Sequence, residues 1–320
     1  MPWKTILTLV SLLAFLKVPD LIPQFQDYRI FDWASIPHLM DFQLRRASAD
    51  PIEDEQSRLQ PDMDDFLGAP ARQLTGNLDR FFESLTDLEE GRSTLVRILH
   101  YGDSPTTADM ITADARALLQ ERFGDAGHGY HLIAKPWAWY EHRGVAITSA
   151  TGWKIEPATT AGLKDGLYGL GGVSFRGGQE SRTQFWLRTP HAKATIDQAA
   201  GSNAVVRKLS ENSWEVVVPE GSAARVFGVT FQTGKPGIQY DSLGLNGAYI
   251  SVLARMFNEK AWGDELRQAN PNLVVINYGT NESMYAKFVD YTLEKELRKT
   301  IQRIKAAVPN ADILVMSPMD

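Results

Sequence analysis

Residues 94–104 have the sequence TLVRILHYGDS. The first part of this stretch is rich in β-branched and apolar residues, which is typical of a strand buried inside a parallel sheet. The strand leads directly into the turn Gly102-Asp103-Ser104. The residues after the turn show a helical period, with these side chains on one face: Ile111, Ala115, Leu118 and Leu119. A strand, a tight turn that carries a serine and a helix together predict the first unit of an α/β domain.

The same α/β pattern returns near the end of the chain. The stretch LVVINY, residues 273–278, predicts a second buried strand, which ends at Gly279-Thr280-Asn281. Helical patterns lie on both sides of this strand, and another strand starts at Ile313. The apolar residues of the two helices are Ile250, Leu253 and Phe257 before the strand, and Leu293, Leu297, Ile301, Ile304 and Val308 after it. Alternating strands and helices predict a flavodoxin-like three-layer α/β fold with a parallel sheet.

The region between these two parts has a different pattern. Short segments such as SWEVVVPE and ARVFGVTFQT are rich in β-branched and aromatic residues, and no helical period occurs from Val145 to Thr233. This pattern predicts an all-β module, a sandwich of two sheets with its own core, inserted into the α/β domain. The alternation along its strands predicts inward-facing side chains at Phe185, Leu187, Val216 and Val218.

The N-terminal part of the chain has features of an exported protein. Lys4 precedes the apolar run ILTLVSLLAFL, residues 6–16, which is typical of a secretory signal. The run is shorter than the about 20 residues that a membrane-spanning helix needs. Cleavage of the segment, its retention as a membrane anchor and a buried N-terminal helix stay open as alternatives. We expect an extracytoplasmic protein, either periplasmic or anchored so that it faces the periplasm.

These patterns divide the chain into five segments. The stretch from Arg45 to Asp65 is charged and has too few apolar residues to fold alone, which predicts a linker. The predicted segments are 1–22 as a signal peptide or membrane anchor, 23–70 as a linker, 71–144 and 237–320 as the two parts of the α/β domain, and 145–236 as the inserted module.

The composition excludes several classes of function. The formal charge of −6 argues against a nucleic-acid-binding protein, which usually has a basic face. The chain has no cysteine, so it has no thiolate nucleophile and no cysteine-ligated metal site. Residues 128–142, HGYHLIAKPWAWYEH, contain three histidines and a glutamate, but the spacing matches no standard set of metal ligands. The aromatic residues of this stretch fit either sugar stacking or core packing: Trp137, Trp139 and Tyr140.

Two polar clusters follow predicted strands, and the carboxyl ends of parallel strands meet at one edge of a sheet. A serine between a strand and a helix presents its Oγ and its N–H near the helix N-terminus, whose field favours a developing oxyanion. An asparagine at the end of a neighbouring strand can donate its side-chain N–H to that oxyanion. Between the two clusters, residues 241–248, DSLGLNGA, offer a glycine whose backbone N–H can approach the same point.

These motifs resemble those of the SGNH (GDSL-like) hydrolases, which have Gly-Asp-Ser, a mid-chain oxyanion glycine, Gly-x-Asn and a late Asp-x-x-His. The resemblance implies that Ser104 is the nucleophile and Asn281 the side-chain oxyanion donor. Gly247 is the preferred backbone donor and Gly244 the alternative. The chain departs from the family pattern at Asp320, where it ends without Asp-x-x-His. We therefore expect a C-terminally incomplete α/β domain whose catalytic aspartate and histidine are missing.

An all-β insertion between the serine and the glycine resembles bacterial peptidoglycan O-acetylesterases and relatives that act on acetylated envelope polysaccharides. The resemblance implies a serine esterase that removes O-acetyl groups from such a polysaccharide through an acyl-enzyme on Ser104. It implies no metal and no organic cofactor. Two alternatives stay open: a polysaccharide O-acetyltransferase, and a non-catalytic glycan-binding protein whose β module binds the glycan. In each case the expected partner is an acetylated polysaccharide or peptidoglycan and not a nucleic acid.

Overall fold

The computed structural model describes residues 77–317. The predicted signal peptide or membrane anchor (1–22) and the predicted linker (23–70) lie outside the described residues. Among the helices of residues 77–317, none is both long enough and apolar enough to cross a membrane.

The described residues form seven α-helices, two π-helical turns and fourteen strands. The helices are α1 (Asp79–Glu89), α2 (Ser104–Thr107), α3 (Thr112–Phe123), α4 (Glu259–Ala269), α5 (Thr280–Ser283), α6 (Ala286–Phe288) and α7 (Glu294–Ala307). The π-helical turns span Val252–Met256 and Val289–Leu293. The strands are β1 (Leu95–Gly102), β2 (Asp125–Gly127), β3 (Gly129–His131), β4 (Val145–Thr151), β5 (Lys154–Pro157), β6 (Val173–Gly177), β7 (Arg182–Leu187), β8 (Lys193–Gln198), β9 (Val205–Lys208), β10 (Ser213–Val217), β11 (Ala224–Gln232), β12 (Gly237–Gly244), β13 (Leu273–Asn277) and β14 (Asp312–Met316).

Five strands form a parallel sheet in the order β14-β13-β1-β12-β2. The sequence prediction of an α/β fold built on a parallel sheet is confirmed. Numbered along the chain, the four longer strands β12, β1, β13 and β14 have the order 2-1-3-4, which begins the flavodoxin-like order 2-1-3-4-5. Strand β2, only three residues long, was not predicted and extends the sheet beside β12.

Both faces of the parallel sheet are covered by helices, which explains the apolar runs of its strands. On one face, Val96 and Ile98 of β1 pack in a cluster with residues of α1 and α3. On the other face, Leu99 and Tyr101 pack in a cluster with residues of α4 and α7. The expectation that Leu118 lies on the buried side of α3 was wrong, since this side chain is 67% exposed. The helix buries Thr112, Ala113 and Arg116 instead. Leu118 lies two positions after Arg116, and side chains two positions apart in a helix point in different directions.

The middle of the chain forms two antiparallel sheets, and the described residues 145–236 contain no helix. One sheet has the order β4-β7-β10-β9; the other has the order β3-β11-β6-β5, with β8 also pairing with β11. The four side chains predicted to face inward are all buried: Phe185, Leu187, Val216 and Val218. The antiparallel part begins before the predicted boundary at Val145, because β11 is long enough to pair with β6 at its start and with β3 at its end.

The antiparallel sheets share a core with the α/β part, contrary to the expected separate core. A single cluster of buried residues contains Leu99 and Trp262 of the α/β part together with Phe175 and Phe231 of the β strands. The two parts are in close contact where Gly172, just before β6, meets Leu245, just after β12. A Cβ atom added to Gly172 would lie 2.5 Å from Leu245 Cδ1.

We predict that Phe231→Ala destabilises both parts in one transition, because Phe231 is fully buried in the shared cluster. The expected loss is about 3–5 kcal/mol of unfolding free energy. Phe82→Ala, at a side chain that is 54% exposed, serves as the control and is expected to cost less than about 1 kcal/mol. Urea unfolding followed by tryptophan fluorescence and far-UV circular dichroism measures both. Two separate transitions in Phe231→Ala would contradict a shared core.

Candidate active site

Three strands of the parallel sheet end side by side, and each is followed by one of the predicted site residues. Gly102 at the end of β1 pairs with Gly244 of β12 and with Asn277 of β13. Ser104, Gly247 and Asn281 follow these strand ends by two, three and four residues. In open α/β sheets the crevice outside these strand ends is where ligands bind. The roles of the three residues stay predictions.

Helix α2, which begins at Ser104, lies directly on the ends of β1 and β12. A Cβ atom added to Gly102 would lie 2.1 Å from Thr106 Oγ1, and one added to Gly244 would lie 2.0 Å from the Thr107 backbone nitrogen. Such distances are too short for any side chain, so both strands need glycine here. The close approach places the half-buried Ser104 immediately above the sheet edge.

The loop with Gly247 and the turn with Asn281 are joined by a hydrogen bond. Asn281 Nδ2 donates to the carbonyl oxygen of Ala248 at 2.9 Å. This bond uses one of the two amide N–H groups and leaves the other for a ligand. Gly247 adopts a left-handed conformation, with φ of +67°, and is exposed. Its backbone N–H makes no hydrogen bond within the described residues, whereas Gly244 is buried against α2.

Two carboxyl groups are buried behind this edge, and the sequence analysis did not identify the second. The Thr280 side chain of the asparagine motif lowers the pKa of Asp103 in the serine motif, which opposes the larger effect of burial. Glu282 is fully buried, and its Oε1 accepts the Ile250 N–H at 2.6 Å. Asp103 Oδ2 and Glu282 Oε2 have no hydrogen-bond partner within the described residues. Burial raises the pKa of both carboxyl groups, and the charge of Asp103 raises that of Glu282 further.

Five of the six histidines lie within the described residues, and all five are buried. His38 is outside the described residues. In residues 77–317 no hydrogen bond joins a histidine to Ser104, so none of the five is placed as its base. His100, the nearest in sequence, contacts the Tyr240 hydroxyl through Nδ1 at 2.7 Å. Burial lowers the pKa of His100 and His142 to about 4, and holds those of His128 and His131 well below the usual value.

The aromatic residues of the segment 137–140 divide between the core and the edge of the site. Tyr140 is buried, and its hydroxyl accepts the Leu132 N–H at 2.9 Å. Trp139 is 51% exposed, and its Nε1–H donates to Asn246 Oδ1 at 3.2 Å. Trp139 therefore lies next to the loop that carries Gly247, with part of its ring open to solvent.

Replacement of Gly244 by alanine is expected to destabilise the protein, because the new Cβ would overlap the backbone of α2. Overpacking of this kind costs about 1–3 kcal/mol. Gly178→Ala is the matched control, since a Cβ there has no neighbour within 4 Å and the residue does not need a left-handed conformation. Urea unfolding midpoints of the two variants check the prediction. Equal midpoints would show that α2 moves away without cost.

Glu282→Gln is expected to change how stability depends on pH. Because the folded-state pKa of Glu282 is raised, its contribution to stability is complete below its ordinary pKa and is lost as the pH rises through the raised value. The unfolding free energy of the variant minus that of the wild type should therefore become more positive between pH 4 and pH 8. Urea unfolding at both pH values measures this difference. The exposed Glu83→Gln is the control, and a flat difference for Glu282→Gln would refute the prediction.

Comparisons with known proteins relate this arrangement to a solved fold. No family model matches the chain, and no curated protein matches it. The chain is similar to a solved peptidoglycan O-acetylesterase, with a TM-score of 0.63 and 20% sequence identity, over 75% of this chain and 72% of that chain. A Bacillus subtilis protein of solved structure has a TM-score of 0.25 and 10% identity, over 55% of this chain and 67% of that chain. The chain therefore shares the fold of the peptidoglycan O-acetylesterase, a parallel α/β sheet with additional antiparallel sheets.

Proposed function

We propose that the protein is an SGNH-type serine esterase that removes O-acetyl groups from a cell-envelope polysaccharide. The observation that carries the proposal is the common strand edge, where Gly102 pairs with both Gly244 and Asn277 and Ser104 follows directly. The order of the serine, glycine and asparagine motifs along the chain is that of the SGNH hydrolases. The shared fold with a peptidoglycan O-acetylesterase supports an acetylated glycan as the class of substrate. Such a polymer lies outside the cytoplasm, which supports an extracytoplasmic location.

In the proposed reaction, Ser104 Oγ attacks the acetyl carbonyl carbon and the sugar hydroxyl leaves. The acetyl-enzyme is then hydrolysed by water, which releases acetate and restores the serine. The carbonyl oxygen gains negative charge during both steps, and N–H donors that are already in place stabilise it. The free N–H of Gly247 and the second amide N–H of Asn281 are suited to this role, because neither hydrogen has a partner within the described residues.

A serine hydroxyl needs a base to become a good nucleophile, and no described histidine bonds to Ser104. We therefore expect this chain to turn over slowly. Enzymes that lose a member of the triad still exceed the reaction in water by about 10³–10⁴, through the oxyanion hole and substrate binding. A rate of this order is the expected activity.

The test is acetate release from O-acetylated peptidoglycan by the wild type and by Ser104→Ala. We expect mass spectrometry to find an acetyl group on Ser104 of the wild type. We expect the variant to lose the acetate release that passes through the serine and to keep only the part that the oxyanion hole and substrate binding supply. Ser283→Ala is the matched control, since Ser283 is an exposed serine of α5 near Asn281, and its rate should be unchanged. A wild type that carries no acetyl group on Ser104 and releases acetate at the same rate as Ser104→Ala would remove Ser104 from the mechanism.

The same assay separates the alternatives. Addition of a non-acetylated acceptor glycan gives an acetylated product if the protein is an O-acetyltransferase. If the wild type binds the glycan but releases no acetate, and if the Ser104→Ala variant binds the glycan with the same affinity, the protein is a non-catalytic glycan-binding protein.

A further inference from the structure

We propose that His128, His131 and His142 form a binding site for one divalent transition-metal ion, with Zn²⁺ as the best fit. The three side chains are buried, and each offers a ring nitrogen that lies within 4.8 Å of the nitrogens offered by the other two. Neutral imidazole nitrogens are preferred ligands of Zn²⁺. The ion would take no part in the proposed attack by Ser104, since none of the three histidines bonds to that serine.

The spacing of the nitrogens is close to what one ion requires. His128 Nε2 and His142 Nδ1 are 3.1 Å apart. Two nitrogens bound to a tetrahedral Zn²⁺ at about 2.1 Å would be about 3.4 Å apart, so this pair already has the separation of two ligands of the same ion. The third nitrogen, on His131, lies within 4.8 Å of the other two.

The hydrogen bonds of His131 leave one nitrogen free for the ion. His131 Nδ1 lies 2.6 Å from the Leu132 carbonyl oxygen, so it carries the proton and donates it. Nε2 then has a free lone pair. A metal-binding histidine usually donates its other N–H to a backbone carbonyl or a carboxylate, and His131 already makes this outer bond.

The hydrogen bond between His128 and His142 leaves one ring nitrogen of the pair without a partner. Only one proton can lie between His128 Nε2 and His142 Nδ1, so one of these nitrogens donates and the other accepts. His142 Nε2 is buried with no partner within the described residues. Asp109 is the acidic group whose charge acts most strongly on His142, and its charge is balanced by an ion pair with Arg116 at 2.5 Å.

A cavity of about 210 Å³ borders two of the three rings, those of His131 and His142. Lys135 and Glu141 also line it. The cavity has room for a water molecule, which would complete the four ligands that Zn²⁺ prefers. The site thus has three protein ligands and one open position.

The ion would fix the segment between β3 and β4, because His131 ends β3 and His142 lies three residues before β4. The same segment carries Trp139, which bonds to Asn246 beside Gly247. The bound metal therefore holds this segment against the edge of the candidate active site. The alternative is a cluster that only packs, since the three rings lie 4.6 to 5.9 Å apart.

The test is titration of the full chain, first stripped of metal by a chelator, with Zn²⁺ and with Co²⁺. We expect one ion per chain with an apparent Kd below about 1 μM. We also expect a rise in Tm of about 5 to 10 °C when free Zn²⁺ is about a hundred times the Kd. Co²⁺ should give the strong visible absorption of a tetrahedral site.

His131→Gln and His142→Gln should each weaken Zn²⁺ binding by about a hundredfold or more. His191→Gln is the matched control and should bind as the wild type does. The ring of His191 is near the cluster but has both nitrogens occupied, by the Thr189 carbonyl oxygen and the His128 backbone N–H. Absence of 1:1 binding to the wild type overturns the proposal without any variant. Wild-type affinity in both His131→Gln and His142→Gln also overturns it, because the ion then binds elsewhere.

Discussion

The backbone register at Gly102 holds the candidate site together. Gly102 pairs with Gly244 on one side and with Asn277 on the other, so three strands end at one level. A slip of β1 by one residue would exchange its two faces, so that Ile98 would take the place of Leu99 and His100 the place of Tyr101. The two faces contact different helices, so the buried side chains enforce the register. The position of Ser104 above the sheet therefore depends on packing far from the serine itself.

A buried ion pair within the parallel sheet also connects this sheet to the antiparallel strands. Arg97 of β1 donates to Asp241 Oδ2 of β12 at 2.5 Å. The other oxygen of Asp241 accepts the Tyr130 N–H of β3 at 2.6 Å. The Asp241 carboxylate on β12 thus bonds to β1 of its own sheet and to β3 of an antiparallel sheet. Removal of Arg97 or Asp241 would leave its partner as an uncompensated buried charge, which is strongly destabilising. Together with the common core, this group explains why the β strands do not form a separate unit.

The sequence predicted the parts of the fold that depend on local pattern. Strands β1 and β13 were predicted because in each case a β-branched run ends in a polar turn. The inward orientation of Phe185 and Val216 was predicted because alternating apolar residues mark the buried face of a strand. Features that depend on contacts between distant segments were not predictable. The pairing of β3 with β11 joins residues about a hundred positions apart. Nothing in the sequence near Glu282 shows that Ile250 bonds to it.

The histidines show the same limit. Their spacing of three and eleven positions fits no standard ligand pattern, because the segment between His131 and His142 folds back and returns the last ring to the first two. The motifs at Ser104 and Asn281 could be placed from the sequence because each follows a strand, and strand ends of a parallel sheet lie together by necessity. Their roles stay predictions. A cluster formed by an irregular loop has no such rule.

The long insertion between β1 and β12 affects how the chain reaches its fold. Leu95 pairs with Gly237, which is 142 positions later (237 − 95). A flexible loop loses entropy as about (3/2)RT ln n on closure, so the central pairing of the parallel sheet is costly until the residues between have become compact. Folding rates fall as contacts become more distant in sequence. During synthesis β1 stays without its neighbours until the antiparallel strands have left the ribosome, and it exposes two unpaired edges and two apolar faces in that interval. The segment 95–102 is therefore exposed to mispairing until residue 237 and those after it have been made.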